Sequence, residues 1–149
     1  MNFLLGSEFE TSLRILMLFE AAFEEPLNEE TIAMLDFMTI YSRDFEITDS
    51  NLHGENNYRF AEFTSRRELV KSAIKRLVLD GLINVLPTKN GFEYMLNQDG
   101  REFVSHLDSK YADTYYETAM QVFIKTRGMS QRALSELINK RIIASLQGG

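Results

Sequence analysis

The chain has 149 residues, 44% hydrophobic and 26% charged, a balance that suits a globular protein able to bury a real core. With no cysteine there is no disulfide framework and no thiolate metal site, and no run approaches the roughly 18 apolar residues that a membrane helix needs. A net charge of −6 argues against a protein that coats nucleic acid wholesale, and the apolar residues 1–6, which lack a basic stretch and meet Glu8 and Glu10 at once, do not read as a signal peptide. A cytoplasmic location is expected.

Taken in chain order, the pattern is mostly helical. Residues 8–23 place Leu13, Leu16, Met17, Phe19 and Ala21 among polar residues, and Ile15 and Leu18 widen the apolar face, which predicts a well-buried helix. Glu24-Glu25-Pro26 ends it, because proline disfavours helix in the residue before it. Asn28 can cap a second helix whose first turn holds Glu29 and Glu30, where the helix dipole favours them. That helix runs to about Tyr41 through Ile32, Leu35, Phe37, Met38 and Ile40. Residues 44–63 hold two turn-forming clusters, Asp49-Ser50-Asn51 and His53-Gly54-Glu55-Asn56-Asn57, followed by the aromatics Tyr58, Phe60 and Phe63 without a period. They predict a long ordered loop, which is uncommon unless it has a task.

A helix over 64–80 follows, with Leu69, Val70, Ala73, Ile74, Leu77 and Val78 forming one apolar stripe and Gly81 placed to stop it. Two strand-like runs, 82–86 and 92–96, flank Pro87-Thr88-Lys89-Asn90-Gly91, and Asn90-Gly91 is a strong hairpin signal. Leu82, Val85 and Tyr94 are expected to be partly buried against the preceding helix. After Asn97-Gln98-Asp99-Gly100 one long helical pattern runs through Phe103, Leu107, Tyr111, Tyr115, Ala119, Val122 and Phe123, until Arg127-Gly128 breaks it. Ser130 can cap a last helix lined by Leu134, Leu137, Ile138, Ile142 and Leu146. The fold class read from this order is α+β and mostly helical. It comprises a winged helix-turn-helix core with a two-stranded wing over residues 1–100, and a C-terminal helical extension over 101–149 packed on the same domain.

Charge is unevenly spread. The 64–80 helix carries Arg66, Arg67, Lys71, Lys75 and Arg76 against Glu68 and Asp80, whereas up to Tyr41 eight carboxylates face only Arg14. Arg67, Lys71 and Lys75 recur at a spacing of four, so they share one face opposite the apolar stripe, with Arg66 and the hairpin's Lys89 flanking it. Such a face is either a solvated helix surface or a contact for a phosphate backbone, giving position and salt dependence with little base preference. No Asn or Gln lies on this helix to read adenine.

The sequence carries no recognisable catalytic motif. His53 and His106 stand in no ligand spacing, and no glycine-rich phosphate loop, nucleophile elbow or zinc signature is present. The pairs Glu24-Glu25 and Glu29-Glu30 fall in a turn and a helix start, where solvation and the dipole explain them. No catalytic residue, no metal ligand and no cofactor is assigned, and the chain is not expected to be an enzyme.

The segments 2–10, Asp49-Ser50-Asn51-Leu52-His53-Gly54, Tyr58-Arg59-Phe60-Ala61-Glu62-Phe63 and Arg66-Arg67-Glu68-Leu69-Val70 resemble the middle component of three-component ABC-ATPase (ABC-3C) systems, the Lamassu-like bacterial conflict systems. The likeness covers roughly residues 2–123. It implies a small winged-helix protein that acts as a non-catalytic adaptor in antiphage or anti-plasmid defence. Its partners would be an ABC ATPase of the SMC/Rad50 kind and a nuclease-type effector, with DNA touched through the complex. Neither a membrane nor a small-molecule substrate is implied. Under this likeness Phe3, Leu5, Phe9, Asn51, His53, Tyr58, Arg59 and Phe60 are the candidate partner-binding residues, because ordered loops on a rigid scaffold commonly carry binding. The aromatics of 58–63 read equally well as plugs of the helical core, and Tyr111, Tyr115 and Tyr116 as packing residues. A second reading stays open, a stand-alone winged-helix transcription regulator that dimerises through its C-terminal helices and reads DNA with the 64–80 helix.

Overall fold

The computed structural model describes residues 8–53, 60 and 62–148. Its elements are α1 (Glu8–Ala22), β1 (Leu27–Asn28), α2 (Glu29–Ile40), a 3-10 turn (Ser42–Phe45), α3 (Phe63–Leu79), β2 (Ile83–Thr88), β3 (Gly91–Leu96), α4 (Gln98–Ser105), α5 (Lys110–Thr126) and α6 (Gln131–Gly148). Helix dominates, and the three short strands form one antiparallel sheet in the order β1-β3-β2.

The core is built around α2. Every residue from Ile32 to Ile40 is buried, so this helix has no solvent face, as expected for one that neighbours surround. Helices α1, α3, α5 and α6 all pack on it, and α1 also packs on α3 and α5. The start of α2 is fixed as expected: the Asn28 side chain accepts a hydrogen bond from the Thr31 amide at 2.8 Å. In α3 the buried stripe is Val70, Ala73, Ile74 and Leu77, which leaves Lys71 and Lys75 on the outside. The helix then stops at Gly81, whose φ of +74° suits a residue without Cβ. The amides of Leu82 and Gly81 fold back to the carbonyls of Leu77 and Val78, the two bonds of a Schellman closure.

Five departures from the sequence reading have local causes. The hairpin is tighter than expected, because Pro87 and Thr88 pair with Phe92 and Gly91 and leave only Lys89-Asn90 as the turn. A third strand, β1, pairs Leu27 with Tyr94 and Asn28 with Glu93. Val85 is exposed, and Ile83 is the fully buried residue of β2. The expected long helix after residue 97 is two helices: Asn97 caps α4 through the Gly100 amide, and Ser109 caps α5 through the Ala112 amide. At Gly100 the backbone approaches the Leu82 carbonyl and Leu96 so closely that no Cβ could be accommodated. The loop expected over 44–63 begins instead within the 3-10 turn of Ser42–Phe45. Its central residues 54–59 lie outside the described residues.

Candidate functional site

One face of α1 carries Phe9, Leu13 and Met17 at successive helical turns, running from exposed at Phe9 to buried at Met17, with Glu10 and Arg14 one position on. Across from them stand the α4–α5 junction and the first turn of α5, including Leu107, Tyr111 and Ala112, while His53 and Arg66 close the remaining side. Together they bound a groove of about 950 Å³ with apolar walls and a polar end. Phe9 is 69% exposed at its rim.

A charged cluster lies beneath the polar end. Arg14 comes from α1 and Asp36 from α2, and both side chains are almost completely buried. The guanidinium grips the carboxylate with both forks, Nε to Oδ1 at 2.9 Å and Nη2 to Oδ2 at 3.2 Å. From α5 the buried Tyr115 hydroxyl donates to the same Oδ1 at 2.7 Å. Arg14 also donates to Glu10 at 3.2 Å and to the Thr11 hydroxyl at 3.3 Å. Burial alone would raise the Asp36 pKa, but the Arg14 charge and the hydrogen bonds from Arg14 and Tyr115 hold it below the usual carboxylate value. Burial likewise opposes the charge of Arg14, and Asp36 more than restores it, so the guanidinium stays protonated.

Nearer the groove, His53 Nε2 and the Tyr111 hydroxyl share a hydrogen bond of 2.8 Å, and the Tyr111 ring stacks on Tyr115 with centroids 6.4 Å apart. Burial, then the charges of Arg14 and Arg66, lower the His53 pKa to about 4. Burial raises the Tyr111 pKa to about 12. At neutral pH both are therefore uncharged hydrogen-bonding groups, a weak base beside a weak acid. Glu10, 4.0 Å from His53, has its pKa raised chiefly by burial, with Arg14 opposing. Among the described residues Glu10 Oε2 and Arg66 Nε are buried without a hydrogen-bond partner, one unsatisfied acceptor and one unsatisfied donor beside the polar end. The arrangement is suited to holding a partly apolar group by hydrogen bonds.

The family model of the ABC-three component (ABC-3C) system Middle Component 2 matches residues 4–148. The chain belongs to this family. No curated protein and no solved structure gives a match.

This Middle Component 2 chain distributes the sequence candidates unevenly. Phe9 and His53 line the groove. Asn51 is buried, accepts from the Arg43 amide at 2.8 Å and so braces the turn after α2. Phe60 is buried with its ring 5.7 Å from that of Phe37, so it serves the core. Phe3, Leu5, Tyr58 and Arg59 lie outside the described residues. On α3, Arg66 turns inward over the Tyr41 ring and pairs with Glu62 at 3.4 Å. Arg67 pairs with Glu30 of α2 and sits over the Phe63 ring. Lys71 and Lys75 remain exposed, as does Lys89 at the hairpin turn. The basic face is thus narrower than the sequence suggests.

Sequence reasoning missed Arg14, Asp36, Tyr111 and Tyr115 as members of one site. A signal was present: each of the two most apolar helices carries one charge on a buried face, and a charge held there needs a partner. Among the described residues no group of three or more His, Asp or Glu side chains gathers to hold a metal ion, and no helix is long and apolar enough to cross a membrane.

Proposed function

We propose that this Middle Component 2 chain is the non-catalytic adaptor of a Lamassu-like antiphage or anti-plasmid complex, joining an SMC-like ABC ATPase to a nuclease-type effector. Family membership supports the role of subunit, and the observation that carries the docking role is the groove beside α1. A groove of this size, with an exposed aromatic at its rim and unsatisfied polar atoms at its end, matches the anatomy of a protein interface better than that of a solvated surface. The weak base and weak acid at its end favour binding over proton transfer near neutral pH.

The same reading takes residues 8–96 as a winged-helix core. The order helix, strand, helix, helix, strand, strand and the sheet order β1-β3-β2 support it, although the link from α2 to α3 is far longer than a tight helix-turn-helix turn. A stand-alone DNA-binding regulator is the lesser reading. Arg66 and Arg67 are engaged internally, and Glu29 and Glu30 share a hollow with Arg67 and Lys71. Any phosphate contact would fall to Lys71, Lys75 and Lys89, within the assembled complex.

Co-expression with the neighbouring ATPase and effector, followed by tagged purification, tests the proposal. The parent chain is expected to bring down both. A Phe9→Ser, Leu13→Gln variant is expected to keep the parent's melting temperature within a few degrees and to lose one of them. Assembly at full yield by that variant would remove the groove from the interface. Recovery of the parent chain alone at low salt would overturn the adaptor role.

A further inference from the structure

At the far end of α1, about 20 Å from Phe9 at 1.5 Å per helical residue, the chain exposes a second aromatic. Phe23 is 82% exposed, more than any other large apolar side chain among the described residues. It also stands in left-handed backbone, φ +49°, and Glu24 follows at +65°. A helix C-terminus often takes one such residue, but it is usually glycine or asparagine. Two successive non-glycine residues here, one with a bulky ring, are conformationally unfavourable, and the ring gains no burial in return. The strained turn aims Phe23 beside a hollow of about 380 Å³. Met120 and Ile124 of α5 border that hollow on one helical face and are 41% and 60% exposed, with Leu134 of α6 forming part of its wall.

We infer that Phe23, Met120 and Ile124 form a second docking surface, and that its occupant is a segment of another subunit carrying apolar side chains flanked by lysine or arginine. The inference rests on the adaptor reading, since a subunit that joins two others needs two separate faces. Charge decides the occupant. Glu20, Glu24 and Glu25 crowd the Phe23 side, and none has an ion-pair partner among the described residues; Glu117 continues the Met120–Ile124 stripe, while Arg101 and Arg127 are the nearby cations. A second copy of this chain would bring those carboxylates together across a two-fold axis, in a protein already at −6. A basic, apolar segment instead meets complementary charge around its anchor.

The test uses the co-expressed complex with Phe23→p-benzoylphenylalanine, irradiated and mapped by mass spectrometry. The expected product joins position 23 to one segment of a different subunit, apolar and net positive. In parallel, Phe23→Asp is expected to weaken capture of that same subunit about tenfold or more, the size of an interface anchor, without lowering the melting temperature of the isolated chain. Glu24→Lys, Glu25→Lys is expected to weaken capture at low salt, with the difference shrinking at high salt. A cross-link to a second copy of this chain, no cross-link, or a full complex with Phe23→Asp overturns this inference and leaves the adaptor reading standing. Failure of the parent chain to form any complex overturns both.

Discussion

Removing the Asp36 carboxylate is the sharpest test of the cluster that underlies the groove. In Asp36→Ala the Arg14 guanidinium, with 2% of its side chain exposed, keeps Glu10 and Thr11 as partners but loses both bonds of its buried fork. Tyr115 loses its acceptor in the same step. Breaking a buried pair by deleting one partner costs about 3–5 kcal/mol. At about 2–4 °C per kcal/mol for a chain of this size, the melting temperature should fall by about 6–20 °C. Against a total stability of about 5–15 kcal/mol, that is a substantial fraction of the whole. The companion Arg14→Met, Asp36→Leu, Tyr115→Phe removes the buried pair and its hydroxyl donor together, and should recover most of the loss. Urea titration followed by far-UV circular dichroism measures both. The pH dependence has a defined sign: Asp36 has its pKa lowered by folding, so its contribution is complete at neutral pH and is lost as pH falls below about 3.8 and through the lowered native value. An Asp36→Ala chain within about 1 kcal/mol of the parent would refute the reasoning, because 1 kcal/mol is what a solvated pair is worth.

His53 should stay neutral in the native chain down to about pH 4, while the unfolded chain protonates it near 6.5. The unfolded state then binds the extra proton, so stability falls as pH drops from about 6.5 towards 4. His53→Gln should flatten that part of the profile; Glu10, Arg14, Arg66 and Tyr111 face the ring, and the raised Glu10 pKa contributes the opposite slope, so the parent-minus-variant difference is the quantity to read. A native His53 ring resonance titrating near 6.5 by NMR would contradict the burial argument. Lys71→Glu, Lys75→Glu should fold and assemble normally, because both side chains are solvated. It should reduce DNA binding by the complex with a shallower salt slope, and unchanged binding would reduce that face to solvated surface.

What could be read from the chain in advance was whatever is decided locally. Asn28 caps α2 because an amide oxygen three residues before a free backbone amide can close on it, and Gly81 stops α3 because positive φ costs it nothing. The break between α4 and α5 was hidden because Phe103, Leu107, Tyr111 and Tyr115 keep a four-residue spacing straight through it. The decisive feature there is the Ser109 cap, and serine also occurs inside helices. Strand β1 is two residues long and exists only because Tyr94 and Glu93 lie beside it. The candidate site was least legible. Arg14, Asp36 and Tyr115 are separated by 22 and 79 residues, and each alone reads as an ordinary helix residue.

The position of that cluster bears on how the groove would bind. One carboxylate receives a fork from α1 and a hydroxyl from α5 while sitting on α2, so three helices are fixed relative to one another directly under the groove's polar end. Arg14 faces both the cluster and the groove, and Tyr111 stacks on Tyr115. The groove is therefore preformed, and a partner entering it would spend little of its interaction energy on ordering the wall. A buried ion pair is a poor source of net stability compared with apolar packing. Its presence here is better explained by geometry: it holds α1 at one setting on α2 and α5, and with α1 it fixes both Phe9 at one end and Phe23 at the other.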